Sequence, residues 1–241
     1  MGSHTAAGHA ADGRQWSQNQ DHLLVDLPLG LLMVLDGGGN WFGPEQRARR
    51  GAEVIEQVVH EGLATTPPQL LIENAFRVAT ETLLADLDEE GQPGGVAGVV
   101  LALIQYGQVH VSWLGDAMAH RVCGGKIEAL TWSHSIPNVM LRNGTWTAEV
   151  AALRGERFAN VLCHYLGGEL PKPLEVVSFA PNPGDRLILT TDGVHDLLLG
   201  SHFVTACQTH PETQACAVRL IELAREHGSR DNCTCVVIAF E

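Results

Sequence analysis

Apolar and polar positions fall first into strand-sized runs, His22 to Leu27 and Leu31 to Leu35, separated by a Pro28-Leu29-Gly30 turn. The second run stops at Asp36-Gly37-Gly38-Gly39, which predicts a strand that delivers its aspartate to a sheet edge. The spacing then becomes helical. Ala48, Ala52, Ile55 and Val59 share one face, and Leu71, Ala75, Val78 and Ala85 share another, with Thr66 before Pro67 marking the second helix start. From Val96 the β pattern returns as Val99 to Gln105, Gln108 to Leu114, Ala117 to Cys123 and Lys126 to Thr131. Their connections are too short for parallel crossovers, so antiparallel pairing follows. Residues 132–169 are less regular, with a helix predicted over Thr147 to Leu166, and read as a flap. Two strands follow, Leu174 to Phe179 and Asp185 to Thr191. A helix from near Pro211 to Gly228, with Ala215, Val218 and Leu220 inward, precedes the last strand, Thr234 to Phe240. Strands, helices, strands, helix, strand is the order of an α+β fold in which helices pack outside mostly antiparallel sheets.

A chain of 241 residues with 45% hydrophobic content supports one substantial core. We expect one domain over residues 13–241, preceded by a flexible N-terminus at 1–12 whose Met1-Gly2-Ser3-His4 looks like an expression-tag remnant. No apolar run approaches the roughly 18 residues of a membrane span, and the N-terminus lacks the basic start and apolar stretch of a secretory signal. The expected location is therefore cytoplasmic. The 28 acidic against 15 basic residues give a net charge of −13, which argues against nucleic acid and anionic membrane as partners. Six cysteines contain no C-x-x-C pair, so they read as free thiols rather than a zinc or redox motif. A cysteine-phosphatase C-x5-R, an aspartyl-phosphate D-x-D-x-T, a Walker A loop, G-x-S-x-G and H-E-x-x-H are all absent.

Candidate chemistry lies in acidic turns at strand ends: Val34-Leu35-Asp36-Gly37, Thr190-Thr191-Asp192-Gly193 and Ser229-Arg230-Asp231-Asn232, with Asn19-Gln20-Asp21 before the first run. Any one of them reads as an ordinary turn. Several carboxylates on one edge, however, repel one another unless cations lie between them. Oxygen ligands without histidine or thiolate select Mg²⁺ or Mn²⁺. Glycine beside Asp36 lets the backbone approach an ion, so Gly37 can offer its carbonyl.

These blocks, with Gly115-Asp116, Leu130-Thr131 with His134-Ser135, and Asn160-Val161-Leu162 through Leu166-Gly167-Gly168, resemble in order the motifs of the metal-dependent protein phosphatases, the PPM family of type 2C. The match runs from Asn19 to Phe240, nearly the whole chain. The resemblance implies a four-layer α-β-β-α sandwich and a protein serine/threonine phosphatase using two Mn²⁺ or Mg²⁺ ions. It implies that Asp36 bridges the ions and Gly37 lends its carbonyl. Asp192 and Asp231 would serve one side, and Asp21 the second ion. Asp116 and Asp196 correspond to a third site that the family uses variably. Partners would be a phosphorylated protein and its cognate serine/threonine kinase, and a compact chain of this kind is expected as a bacterial monomer.

Departures from the pattern are informative. Five residues before Asp21 the family carries a phosphate-gripping arginine, whereas this chain has Trp16, with Arg14 two positions earlier as the substitute candidate. Met118 stands where G-D-S-R has its arginine, and Ser133 replaces an aspartate. No histidine receives a catalytic role; His134 and His195 read as surface or core residues. Two alternatives stay open: a pseudophosphatase that binds phosphoproteins, and a phosphomonoesterase of small molecules.

Overall fold

The computed structural model describes residues 3–14, 18–38, 43–86 and 96–241. Among these the strands are β1 (His4–Ala11), β2 (His22–Asp26), β3 (Leu31–Gly38), β4 (Val96–Gln105), β5 (Gln108–Leu114), β6 (Met118–Cys123), β7 (Lys126–Ala129), β8 (Val176–Phe179), β9 (Arg186–Thr190) and β10 (Cys233–Phe240). The helices are α1 (Pro44–Gly62), α2 (Pro68–Ala85), α3 (Ile136–Arg142), α4 (Ala148–Phe158), α5 (Asp192–His195), α6 (Gly200–Thr209) and α7 (Thr213–Glu226). Two antiparallel five-stranded sheets form, in the orders β1-β10-β9-β6-β7 and β2-β3-β4-β5-β8.

Three apolar layers explain why the central strands are apolar at every position. On β3, Leu31, Met33 and Leu35 face α1 and α2, among Ile55, Val59, Ile72 and Phe76. The alternate residues Leu32 and Val34 face the opposite sheet, meeting Trp113, Leu187, Val236 and Ile238. A third cluster joins β9 and β10 to α6 and α7 through Ile188, Cys235, Phe203, Leu220 and Ile221. The result is the α-β-β-α sandwich, with β3, β9 and β10 locked from both faces. Burying each Leu or Val side chain contributes about 1.5–3 kcal/mol, so the strand ends that carry the acidic turns have little freedom to shift.

The structure corrects several expectations. Residues 4–11 are not a flexible tail: they pair with β10 along their whole length, from His4 opposite Phe240 to Ala11 opposite Cys233. Alternating Ala, Gly and His gave this strand no apolar signature. The helix expected over Thr147 to Leu166 begins as predicted, with the Thr147 hydroxyl accepting from Val150 N–H, but stops at Phe158. Beyond it, bridges pair Leu162 with Ser135 and Leu166 with Ala97, drawing the chain back to the sheet. Helices α3 and α6 were not foreseen. On α7 the inward residues are Cys216, Ala217, Leu220, Ile221 and Ala224, with Ala215 exposed and Val218 half-buried. On α2, Ala85 is exposed and Val78 half-buried, while Ile72, Phe76 and Leu83 turn inward. Among the described residues no helix is long and apolar enough to cross a membrane.

The packing of β1 supplies a test. A Cβ on Gly8 would lie 3.0 Å from Val236 Cγ2 and 3.1 Å from Leu23 Cδ1. Gly8→Val should therefore cost about 1–3 kcal/mol in urea unfolding, the range for overpacking. An unchanged midpoint would mean that this segment does not pack as a strand.

Candidate active site

The acidic residues come from both sheets and meet where their strand ends converge. Asp36, near the end of β3, has Gly98 of β4 as its register partner. A Cβ on Gly98 would lie 3.1 Å from an Asp116 carboxylate oxygen and 3.6 Å from Asp36 Cβ, so the missing side chain is what lets these two residues approach. From the other sheet, Thr190 ends β9 and Asp192 opens α5. A Cβ on Gly193 would lie 1.9 Å from the Asn232 carbonyl oxygen. Only glycine permits that backbone contact, which sets Asp192 beside the Asp231 turn. The Ser229 hydroxyl secures the same junction by donating to the Gly193 carbonyl at 2.8 Å.

Asp21 is held from several sides. Its N–H donates to Asn19 Oδ1 at 3.0 Å, and the neighbouring Gln20 N–H donates to Asn232 Oδ1 at 2.9 Å. The Thr191 hydroxyl donates to its carboxylate at 2.9 Å while accepting the Thr234 N–H at 3.0 Å. Thr191 and Asn232 lie inside the acidic-turn motifs but received no role from them, and Gly98 lies outside every motif. Their part depends on which distant segment they meet, and nothing local marks it.

Burial and the charge of neighbouring aspartates both raise these carboxyls. Burial raises Asp36 well above the carboxylate range, and the charges of Asp192, Asp21 and Asp116 raise it further. Burial pushes Asp21 up to about 7, reinforced by Asp231 and Asp116, with hydrogen bonds that include Thr191 opposing. Asp192 rises to about 7 through burial and then the charges of Asp116, Asp231 and Asp196, and Asp116 rises to about 6, chiefly by burial. Asp196 is raised by burial and by Asp231. In each case the neighbouring charges that raise the carboxyl are other aspartates. Such a set is costly as anions and becomes favourable around hard cations, so the donor chemistry fits Mg²⁺ or Mn²⁺. Among the described residues no three His, Cys, Asp or Glu side chains already close into a coordination shell. The aspartates form an open floor.

Of the remaining candidates, Gly37 lies buried on β3 beside Asp36. Arg14 has an exposed side chain, and its N–H donates to the Arg230 carbonyl at 2.7 Å, which brings its backbone to the residue preceding Asp231. Trp16 lies outside the described residues. His195 is mostly buried and pushed down to about 3 by desolvation and His120, and its Nδ1 meets the Thr190 hydroxyl at 3.0 Å. His134 is buried and pushed down to about 4, and its N–H donates to the Gly115 carbonyl at 2.7 Å. Both are neutral near pH 7. Above the floor a cavity of about 430 Å³ opens between Asp116, Asp192 and Asp196 on one side and Asn138, Glu156 and Asn160 of the α3–α4 region on the other.

No protein-family model matches the chain. It is 26% identical over 232 residues to a probable protein phosphatase 2C member 13, mitochondrial, of Oryza sativa subsp. japonica, covering 88% of this chain and 60% of that protein. Against human protein phosphatase 1F the match covers 48% of the relative, so the chain spans about half to three-fifths of the length of these curated relatives. Among solved structures, the PPM Ser-Thr phosphatase MsPP from Mycobacterium smegmatis in complex with cacodylate superposes with TM-score 0.78 at 26% identity, over 98% of each chain. The catalytic domain of the phosphatase PstP in complex with two manganese ions superposes with TM-score 0.79 at 22% identity, over 98% of each chain.

The raised carboxyls predict a pH signature. A carboxyl whose pKa is higher in the folded than in the unfolded chain adds stability that is complete below about pH 4 and is lost as pH rises through its folded value, here about 7 for Asp192. The buried histidines act oppositely and cancel when a variant is compared with wild type at each pH. In EDTA, Asp192→Asn should therefore gain about 1–2 kcal/mol on wild type between pH 5 and pH 8, read from chemical unfolding. Mn²⁺ at pH 8 should stabilise wild type more than the variant. A difference that does not move with pH would contradict the crowding of charge at this floor.

Proposed function

We propose that the chain is a member of the PPM family of type 2C and, on that premise, a metal-dependent serine/threonine phosphatase acting on phosphorylated proteins. The observation that carries this reading is the convergence of Asp21, Asp36, Asp116, Asp192 and Asp231, drawn from both sheets, with other aspartates as the neighbouring charges that raise them.

In this reading Asp36, the Gly37 carbonyl, Asp192, Asp231 and Asp21 would hold two Mn²⁺ or Mg²⁺ ions, with Asp36 at the centre of the mutual repulsion. Asp116 and Asp196 would hold a third ion. Bound hard cations supply Lewis-acid activation of water and neutralise phosphoryl charge. The chain's own work is to hold the ligands. The Thr191 hydroxyl fixes the Asp21 carboxylate while itself anchored by Thr234 N–H, so Asp21 keeps its orientation as charge builds nearby. The contact between Gly193 and Asn232 keeps Asp192 and Asp231 in register. Arg14, whose backbone is tied beside Asp231, orients the substrate phosphate with its guanidinium. The α3–α4 hairpin shields the cavity from bulk water as a flap. A phosphoprotein and its cognate serine/threonine kinase are the proposed partners of a cytoplasmic monomer that works through a single catalytic unit over residues 13–241, with β1 added.

Phosphate release from an aryl phosphate and from phosphothreonine peptides, with and without Mn²⁺, tests the reading. Activity should require the ion and fall at least about 100-fold in Asp36→Asn and in Asp231→Asn. Turnover that survives both substitutions would sink the assignment, whereas tight phosphopeptide binding by wild type without release would mark a pseudophosphatase. Arg14→Ala should raise KM about tenfold with a smaller change in kcat, and an unchanged KM would remove Arg14 from the phosphate grip.

A further inference from the structure

A second cavity, of about 440 Å³, adjoins the one above the carboxylates and shares Ser133, Asn138, His195 and Asp196 with it. The two therefore form one groove along the α3 edge. Its character changes along its length. Toward Asp116 and Asp192 the lining is carboxylate, amide and hydroxyl; past Asp196 it becomes Met118, Trp132 and Leu141, the last 39% exposed, with Thr131 and Arg142 also lining it. The Thr131 hydroxyl and the Trp132 indole already have partners. The Thr131 hydroxyl accepts the Ala119 N–H at 2.8 Å and donates to Met118 Sδ at 3.5 Å. The Trp132 indole N–H donates to the Glu175 carboxylate at 3.2 Å, while the Arg142 guanidinium lies 4.1 Å over its ring and His134 packs against it edge-on at 4.6 Å. Trp132 is thus a rigid wall and Met118 an adaptable floor. Met118 also stands where the type 2C motif has an arginine, so this end lacks the charge that position would bring.

We propose that this apolar end of the groove is a specificity subsite that receives an apolar side chain flanking the phosphorylated residue of the substrate. The inference rests on the phosphatase reading above. The occupant follows from continuity: a chain whose phosphorylated residue lies over the carboxylate floor passes its neighbouring residue across Asn138 and Asp196 into this cavity. An apolar side chain there loses water against Met118, Trp132 and Leu141 while the Thr131 hydroxyl and the Trp132 indole keep their partners, whereas an acidic one meets Asp196 as well as Arg142, whose guanidinium is already stacked on Trp132.

The test measures kcat/KM with Mn²⁺ for phosphothreonine peptides carrying Leu, Gly or Glu at one flanking position at a time. At one position Leu should exceed both Gly and Glu about tenfold. In Leu141→Glu and in Met118→Arg the Leu-to-Gly ratio should fall to near one. Leu141 lies on a helix with no buried residue, so its substitution spares the core, and taking the ratio within each variant cancels any change in phosphoryl chemistry. A wild-type ratio near one at every position, or a tenfold ratio kept in both variants, overturns the proposal. If the wild type turns over neither aryl phosphate nor peptide, the phosphatase reading fails separately. The Leu-to-Gly ratio of Kd for the same labelled peptides, by fluorescence anisotropy, then decides the subsite by the same criterion.

Discussion

Mutual repulsion among aspartates that the fold does not allow to separate is the constraint on which this structure turns. Two unit charges about 5 Å apart at an effective dielectric near 20 repel by about 3 kcal/mol, so a cluster of several carboxylates would spread if its backbones could yield. They cannot yield easily. Asp36 extends from β3, whose residues Leu31 to Leu35 are buried, and Asp192 and Asp231 flank β9 and β10, which are buried nearly as completely. The hydrophobic effect, acting over three apolar layers, holds the charges where they oppose one another. A cation entering this floor is favoured both by its ligands and by the relief of that opposition.

Close backbone contact is the second part of the device. At Gly193 even a methyl group would lie 1.9 Å from the Asn232 carbonyl oxygen and force the turns after β9 and before β10 apart, and at Gly98 it would press on the Asp116 carboxylate at 3.1 Å. Hydroxyl and amide side chains then set the fine orientation: Thr191 and Asn232 each tie segments far apart in sequence, with Thr191 Oγ1 to Asp21 and Gln20 N–H to Asn232 Oδ1. The contacts described for Asp21, Asp116 and Asp192 thus come from small and neutral groups.

This division explains what could be read from sequence. The aspartates were legible because each sits at an apolar-to-turn boundary, a local pattern, and the order of those boundaries matched a family. The central strands were legible because double-sided burial leaves a continuous apolar run, as in Leu31 to Leu35. What escaped depended on tertiary approach. Gly98 reads as any strand glycine, and Thr191 as any β-branched residue. Strand β1 escaped because its alternating Ala, Gly and His hide a register that β10 imposes. The overlong helix at 147–166 failed for a related reason: the bridges of Leu162 and Leu166 to Ser135 and Ala97 win over local helix propensity after Phe158.

Charge also decides how a phosphate can approach. With two divalent ions at the proposed site, four charges of the six aspartates Asp21, Asp36, Asp116, Asp192, Asp196 and Asp231 are offset, and a residual negative field remains on a chain of net charge −13. A dianionic phosphate would still be repelled, so two metal sites alone are an incomplete account of binding. On the proposed assignment the residual charge would lie toward Asp116 and Asp196, because Asp21, Asp36, Asp192 and Asp231 would hold the two ions. A third cation there, or a guanidinium, would complete the neutralisation, and the Arg14 backbone is tied to the Arg230 carbonyl beside Asp231. On that proposal the two would act at different parts of the site. With Trp16 in place of the family's arginine, the proposed phosphate grip would fall to both of them and, past Asp196, to the contacts around Met118, Trp132 and Leu141.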